Sequence, residues 1–314
     1  MKGICSKRMV AALPLWLEYY NPPDMDDQTR TLLLSISASS IDRLLSPYRK
    51  RVRKGLSSTK SGAFVKTQIP IELIDGHIRQ PGYIEADTVA HCGESLMGDF
   101  ANTLTMTDLF SGWTENRAAW TKTAEIILEK IKEVRDQLPF YIKGFACDNG
   151  SEFINESLLK YFKSQTGREV SFTRRRPYKK NDAAHVEQKN DTHVRQIFGY
   201  ERLDHKQFVN MMNEIYVYYW NPLNNFFMPA LKLKKKVRIG GKIRKFHDKP
   251  LTPYQRLLDS GMLTDEQKSS LELTKSLLNP IELKEGLDKK LAKFFEMVHR
   301  HRNLFYEGLK DNAA

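Results

Sequence analysis

The chain has 314 residues, and 50 Lys and Arg against 38 Asp and Glu give it a net charge of +12 at neutral pH. This length favours two or three domains, and the positive charge favours a polyanionic partner. The three cysteines, Cys5, Cys92 and Cys147, are too few and too widely spaced for a disulfide framework or a zinc finger. They indicate a reducing, cytoplasmic setting.

The N-terminal stretch has the outline of a secretory signal, because basic residues precede the apolar run from Met9 to Leu17. Pro14 interrupts this run, Glu18 follows it at once, and no small-residue cleavage site is present. We therefore expect an amphipathic helix here. No other stretch approaches the roughly 18 apolar residues needed to cross a bilayer, so we expect no membrane association.

Residues 27–50 predict two short helices that are followed by a basic tail. Apolar residues recur at helical spacing on both sides of Ile36, and Ser37, Ser39 and Ser40 are N-cap candidates for the second helix. This layout is that of a DNA-binding helix-turn-helix, and two ordinary amphipathic helices would read the same way. The Ser-rich and Lys-rich residues from Gly55 to Gly62 indicate a linker.

From Gly82 onward, strands and helices alternate. Strand-like runs and turn signals predict a three-stranded antiparallel meander, and helix and strand patterns then alternate. The predicted strands are Gly82–Ala90, Phe100–Leu109, Thr114–Trp120, Tyr141–Cys147 and Glu169–Thr173. The predicted helices are 123–138, 155–164, one that begins near Ala183, and 205–220. This order predicts an α/β fold with a mixed five-stranded sheet and flanking helices.

Three acidic residues in this region converge on one chemistry. Asp87 lies within the first strand, Asp148 ends the fourth strand before an Asn-Gly turn, and Glu187 lies in the first turns of a helix after a basic loop. Three carboxylates can hold two divalent ions, an arrangement used for in-line displacement at phosphorus. Mg²⁺ prefers oxygen ligands, and Mn²⁺ can substitute for it.

Other titratable residues nearby receive structural interpretations. We expect Asp108 to cap a turn, Glu152 to order the turn after Asp148, and Glu85 to point to the sheet face opposite Asp87. Since Mg²⁺ selects oxygen, we expect three histidines to be hydrogen-bonded structural residues. They are His91, His185 and His193.

Two basic tracts and one amide are candidate DNA contacts. The first tract, the basic loop, precedes Glu187 and contains Arg174, Arg175, Arg176, Lys179 and Lys180. Asn190 lies one helical turn after Glu187, as a phosphate contact or as support for the carboxylates. The second tract reads as a β-hairpin around Gly240-Gly241 and contains Lys234, Lys235, Lys236, Arg238, Lys242, Arg244 and Lys245. Solvated loops would also explain both tracts.

Four motifs carry a resemblance to a known family. They are Ile84-Glu-Ala-Asp-Thr-Val-Ala-His91, Leu104-Thr-Met-Thr-Asp-Leu-Phe-Ser-Gly-Trp113, Cys147-Asp-Asn-Gly-Ser-Glu-Phe-Ile154 and Arg176-Pro-Tyr-Lys-Lys-Asn-Asp-Ala-Ala-His-Val-Glu-Gln-Lys-Asn190. With these motifs, residues 80 to 225 resemble the integrase catalytic core of bacterial insertion-sequence transposases, which is related to retroviral integrases. The separation of 39 positions between Asp148 and Glu187 is a few residues longer than in retroviral integrases. The His/Cys zinc module of those enzymes is absent from the sequence.

The resemblance implies a ribonuclease-H-like fold and a transposase that cuts DNA ends and joins them to a target. It also implies an Asp, Asp, Glu triad at Asp87, Asp148 and Glu187 with Mg²⁺. Double-stranded DNA would be the partner of a homo-oligomer associated with the bacterial nucleoid. A silent, transposase-derived DNA-binding repressor and a nuclease acting on RNA–DNA hybrids are the alternatives.

The predicted domains are a helix-turn-helix-like region at 1–57, a linker at 58–78, a catalytic core at 79–225 and a basic C-terminal region at 226–314. Few residues precede the helix-turn-helix pattern, so we expect the N-terminal DNA-binding region to be shortened.

Overall fold

The computed structural model describes residues 4–48, 78–164, 170–174, 188–239 and 242–311. Its strands are β1 (Tyr83–Ala90), β2 (Ala101–Asp108), β3 (Thr114–Trp120), β4 (Gly144–Cys147), β5 (Ser171–Arg174), β6 (Leu233–Ile239) and β7 (Lys242–His247). Its helices are α1 (Ser6–Leu17), α2 (Asp27–Ser35), α3 (Ala38–Leu45), α4 (Ala124–Gln137), α5 (Glu156–Lys163), α6 (Gln196–Phe198), α7 (Lys206–Ile215), α8 (Asn221–Phe227), α9 (Pro253–Asp259), α10 (Asp265–Ser276) and α11 (Pro280–Asp311). Two π-helical segments, Asn190–Arg195 and Tyr216–Trp220, precede α6 and α8. No described helix is both long enough and apolar enough to span a membrane.

The central sheet has five strands in the order β3-β2-β1-β4-β5. The meander β1 to β3 is antiparallel, whereas β4 and β5 run parallel to β1. This mixed sheet with flanking helices confirms the predicted α/β, ribonuclease-H-like fold. Strand β1 lies in the middle and pairs with both halves of the sheet.

One face of this sheet is apolar. Because side chains alternate along a strand, Ile84 and Ala86 of β1 share this face with Leu104 and Met106 of β2 and Phe145 of β4. All five are buried. Helix α4 packs on β2 and β3, and α5 packs on β5. We call this the apolar face.

The opposite face is buried but polar, and we call it the polar face. Thr103, Thr105 and Thr107 of β2 alternate with the apolar residues just named and are almost fully covered. Helix α7 and the following π-helix pack on this side, where the Thr103 hydroxyl lies 3.3 Å from the Tyr216 hydroxyl. Asn116 of β3 donates from Nδ2 to Thr105 Oγ1 at 2.9 Å. Hydrogen bonds therefore compensate these groups for their removal from water.

The described residues fall into two compact units. One comprises residues 4–48, 111–113 and 222–283, and the other comprises 78–110, 114–164, 170–174, 188–221 and 284–311. The sheet belongs to the second unit. The predicted boundaries near residues 57, 78 and 225 stay predictions.

The first unit contains the predicted N-terminal helices. Trp16 of α1 is buried and donates from Nε1 to the Phe227 carbonyl at 3.1 Å. Ser37, one of the predicted caps, accepts the Ser40 N–H at 3.1 Å and so begins α3. The two-helix layout is confirmed, and its interpretation as a DNA-binding helix-turn-helix stays a prediction.

The same unit contains the predicted basic hairpin. Strands β6 and β7 pair antiparallel, with a β-bulge between Leu233 and Lys235. The Lys235 ammonium lies 5.2 Å from the centre of the Phe246 ring. The hairpin is therefore confirmed as two paired strands, while its Gly240-Gly241 turn lies outside the described residues.

Candidate active site

Asp87 is half-buried in the middle of β1. Its Oδ1 accepts the N–H of Thr88 at 2.9 Å, and its Oδ2 accepts Nδ2 of Asn190 at 2.7 Å. Hydrogen bonds to a carboxylate are stronger than those between neutral groups. Two hydrogen bonds from different chain segments thus orient this side chain.

Asp148 is the first residue after β4 and is also half-buried. Its Oδ1 accepts the N–H of Gly150 at 2.9 Å, which closes a tight turn over the Asn149 position. The turn continues through N–H groups of Phe153 and Ile154, which donate to the Gly150 carbonyl at 3.1 and 2.9 Å. The orientation of Asp148 therefore depends on how this turn is held.

The register of the sheet brings the two aspartates together. Strands β1 and β4 are parallel, and Ala86 pairs with Cys147. Asp87 and Asp148 each follow this rung, where neighbouring strands lie ~4.8 Å apart. Two acids separated by 61 positions in the sequence are thus neighbours at one point of the sheet.

Asn190 connects these strands to the helical segment after the basic loop. It opens the π-helix Asn190–Arg195, which contacts β1. One of its polar groups, Nδ2, is bonded to Asp87, and its buried Oδ1 has no hydrogen-bond partner among the described residues. π-Helical turns within helices occur frequently at functional sites. Glu187, the third predicted acid, lies outside the described residues.

The predicted position of Glu85 is wrong. Residues two apart on a continuous strand share a face, and β1 pairs with β2 without interruption from Ile84 to Ala90. Glu85 therefore lies on the same face as Asp87 and is buried. The prediction miscounted the alternation.

The sequence interpretation missed two partners of Glu152. The carboxylate is buried, and its Oε1 accepts the Thr88 hydroxyl at 2.8 Å and the Lys122 ammonium at 3.0 Å. Glu152 belongs to the turn after Asp148, in agreement with the prediction. Lys122 and Thr88 carry no sequence signal for this contact, because both are far from residue 152 along the chain.

Of the predicted basic loop, the structure describes only Arg174. It ends β5, pairs in register with Cys147 and donates from Nη1 to Asn149 Oδ1 at 3.1 Å. A guanidinium therefore lies beside the residue that follows Asp148. Arg175, Arg176, Lys179 and Lys180 lie outside the described residues.

The cations of the hairpin belong to the other unit. The side chains of Lys234, Lys235, Arg238, Arg244 and Lys245 are exposed. Lys236 and Lys242 pair with Lys245 and Ile239 in the register. Their contact with DNA stays a prediction.

His91 is a structural histidine. Its Nε2 lies 2.9 Å from Thr103 Oγ1 on the polar face. Burial, and secondarily the charge of Arg195, lower the pKa of His91 to about 3. The ring is therefore neutral at physiological pH. His193 is buried against Trp220, with ring centres 5.5 Å apart, and His185 lies outside the described residues.

The donor set suits a hard divalent cation. Asp87 and Asp148 offer carboxylate oxygens at adjoining positions, which is the ligand type that Mg²⁺ prefers. Within the described ranges no group of three His, Cys, Asp or Glu side chains could hold a metal ion. Asp87 and Asp148 are two of the three predicted carboxylates, and the third, Glu187, lies outside those ranges.

Comparisons with known proteins give one close relative. "Uncharacterized protein y4rM" from Sinorhizobium fredii is 36% identical over 263 residues, which cover 81% of this chain and 73% of the relative. No protein-family model matches the chain.

Two solved structures show a weaker likeness. The catalytic core domain of BIV integrase is 15% identical with a TM-score of 0.36, covering 57% of this chain and 95% of that chain. A chain from the simian T-cell lymphotropic virus intasome in complex with PP2A regulatory subunit B56 gamma is 15% identical with a TM-score of 0.33. That match covers 55% of this chain, and the chain spans only 56% of the intasome chain.

Proposed function

The chain belongs to the same family as the uncharacterized protein y4rM of Sinorhizobium fredii. Because that relative is uncharacterized, we propose a function from the residues of this chain. We propose that the chain is a DNA transposase or integrase. The proposed reaction is metal-dependent cleavage of DNA strands, followed by transfer of a strand to a target. The proposed catalytic triad is Asp87, Asp148 and Glu187, with Mg²⁺ as the cofactor. Double-stranded DNA is the proposed partner, bound by a homo-oligomer in the bacterial cytoplasm.

The observation that carries this proposal is the rung between Ala86 and Cys147. Asp87 in β1 and Asp148, the first residue after the parallel strand β4, each follow this rung. Both carboxylates are half-buried and oriented by N–H donors. Two carboxylates on neighbouring strands repel each other, so a bound cation would relieve the repulsion.

Asn190 supports the choice of Glu187 as the third acid. Asn190 reaches Asp87 at 2.7 Å, and Glu187 precedes it by three positions in the sequence. Residues three apart share one side of a helix. Because the sequence predicts Glu187 and Asn190 on one helix, Glu187 is the proposed third carboxylate.

The residues have separable roles in the proposed reaction. Divalent ions held by the three carboxylates would supply charge stabilisation to the entering and leaving oxygens and activate water or a DNA 3′-OH. Asn190 orients Asp87 through its amide. Arg174, beside Asn149, adds positive charge next to the carboxylates for a DNA phosphate.

The test uses the purified full chain and a supercoiled plasmid that carries the DNA flanking the coding sequence. Nicked and joined products are measured in Mg²⁺ and Mn²⁺, and DNA binding is measured by gel shift. Asp87→Asn, Asp148→Asn and Glu187→Gln should each abolish both products while retaining the shift. Asp136→Asn, on the exposed surface of α4, is the matched control and should behave as the wild type.

Each outcome assigns a function. Strand joining that persists in Glu187→Gln would remove Glu187 from the triad. A wild-type chain that shifts DNA but forms neither product in either metal would favour the repressor. Cleavage of an RNA–DNA hybrid without joining of DNA strands would favour a nuclease.

A further inference from the structure

A single buried carboxylate joins three segments near the candidate active site. The side chain of Glu152 is only 1% exposed, and its Oε1 receives both Thr88 Oγ1 at 2.8 Å and Lys122 Nζ at 3.0 Å. Thr88 belongs to β1, Lys122 to the link between β3 and α4, and Glu152 to the turn after β4. We call these three residues the clamp.

Each strand segment in the clamp is attached to one of the two aspartates. The Thr88 N–H donates to Asp87 Oδ1, and the Gly150 N–H donates to Asp148 Oδ1, both at 2.9 Å. Glu152 is two residues after Gly150 in the same hydrogen-bonded turn. The clamp therefore ties the backbone that orients Asp87 to the backbone that orients Asp148.

The packing around Gly150 shows how tightly the turn is held. A Cβ on Gly150 would stand 2.5 Å from Glu152 Oε2 and 3.0 Å from Asp148 Oδ1. Both carboxylates thus border the space beside Gly150. Like charges repel, and the Lys122 ammonium at 3.0 Å compensates the buried charge of Glu152.

Lys122 is placed by an unusual backbone. Thr121 has a φ of 66°, and it is the one non-glycine residue with positive φ among those that the structure describes. Such a conformation is a genuine outlier for a β-branched residue, and strained positions of this kind cluster at functional sites. Trp120 ends β3 and Thr123 caps α4, so the strained link directs Lys122 to Glu152.

We propose that Lys122, Glu152 and Thr88 are positioning residues that fix the spacing of Asp87 and Asp148 for a divalent metal ion. The inference deepens the proposed function and rests on it for the identity of the bound group. Partners of this kind behind metal ligands change metal affinity about 10- to 100-fold when they are removed.

The direction in which Lys122→Met changes metal affinity distinguishes a positioning role from a purely electrostatic one. Coulomb's law alone predicts that removing a positive charge near a cation site tightens metal binding. Loss of a positioning residue predicts the opposite, because Glu152 is left buried without its cation and the turn shifts. We expect Mn²⁺ affinity of the full chain, measured by electron paramagnetic resonance, to fall about tenfold in Lys122→Met.

Three further variants complete this experiment. Lys122→Arg keeps the cation and should bind Mn²⁺ as the wild type does. Thr88→Val keeps every charge and should weaken binding. Lys160→Met removes a cation from an exposed 3.2 Å ion pair with Glu156 in α5 and is the matched control, with no expected effect.

A second readout does not depend on metal. Hydrogen exchange of the amides of Gly150, Phe153 and Ile154 should accelerate in Lys122→Met and Thr88→Val but not in Lys160→Met. Unchanged exchange, or unchanged or tighter Mn²⁺ binding in Lys122→Met, would overturn the clamp. If Asp87→Asn and Asp148→Asn leave Mn²⁺ binding unaltered, the proposed function fails. Hydrogen exchange of the three amides then tests by itself whether the clamp holds the turn.

Discussion

The apolar and polar faces of the same five strands are packed by different means. On the apolar face, Phe145 contacts Phe153, Phe162 and Phe172, with ring centres 4.8 to 6.4 Å apart. On the polar face, hydroxyls and amides are buried at alternate positions of β2 and β3. The first set of contacts is non-directional packing, and the second is directional hydrogen bonding.

This difference bears on the orientation of Asp87. Hydrogen bonds fix side-chain orientation more strictly than apolar contact, and Asp87 belongs to the polar face, where Asn190 reaches it. The apolar face supplies the stability that such a face does not provide by itself. A substitution on each face should therefore fail in a different way.

The largest effect is expected on the apolar face. Phe145→Ala removes a fully buried ring and leaves a cavity among three other phenylalanines, so the free energy of unfolding should fall by about 3–5 kcal/mol. Urea unfolding measures it. Phe246→Ala, at a ring of the hairpin that is 43% exposed, is the control and should lose much less. Similar losses in both variants would contradict the assigned core.

The pH dependence of stability should come from the polar face. The pKa of His91 is lowered to about 3 in the folded chain. At pH values between about 3 and the ordinary histidine pKa of about 6.5, the unfolded chain therefore binds more protons than the folded chain. Stability from this group is complete above about pH 6.5 and is lost as the pH falls towards 3. Between pH 7 and 4 the loss should be on the order of 3 kcal/mol.

His91→Gln provides the comparison, because its amide can still reach Thr103 and does not titrate. The free energies of unfolding of the wild type and of His91→Gln should converge as the pH is lowered. Parallel pH profiles would show that His91 is not buried as a neutral ring.

A smaller effect is expected from a single polar-face hydroxyl. Thr105→Val keeps the shape but leaves Nδ2 of buried Asn116 without its acceptor, at a cost of about 1–3 kcal/mol. Thr105→Val/Asn116→Leu replaces both partners and should recover part of this loss. A double-mutant cycle with no coupling between the two positions would contradict the hydrogen bond.

The smallest stability effect should accompany a change in function. Asn190→Ala loses one bond to Asp87 and also removes an unsatisfied Oδ1, so the free energy of unfolding should change by less than ~1 kcal/mol. Mn²⁺ affinity should nevertheless fall, because Asp87 loses the donor that orients it. A variant that unfolds readily would assign Asn190 to the core instead.

Much of the fold could be predicted from alternation and turn residues. The predicted strand Thr114–Trp120 has the bounds of β3, and the predicted helix 123–138 is α4, which Thr123 caps. The strand predicted to start at Tyr141 begins at Gly144, because its neighbour β1 begins at Tyr83 and pairs with that residue. A strand end depends on its partner, which a local pattern does not contain.

The site was only partly predictable, for a similar reason. The pairing of Asp87 with Asp148 follows from motif order, since each acid marks a strand or a strand end. The contact of Lys122 with Glu152 depends on a positive φ at Thr121. A threonine in the sequence does not predict such a φ. Alternating threonines in β2 are typical of a solvent-facing side, and only the tertiary structure shows that α7 covers them.

The central place of β1 sets an order of assembly. Its pairing with β2 is a local hairpin, whereas its pairing with β4 joins residues about 60 positions apart. Distant pairings have a larger loop-closure entropy to overcome and tend to form later. A growing chain can complete the meander with Asp87 in place before β4 has been synthesised. The carboxylate pair would then arise only at a late step of folding.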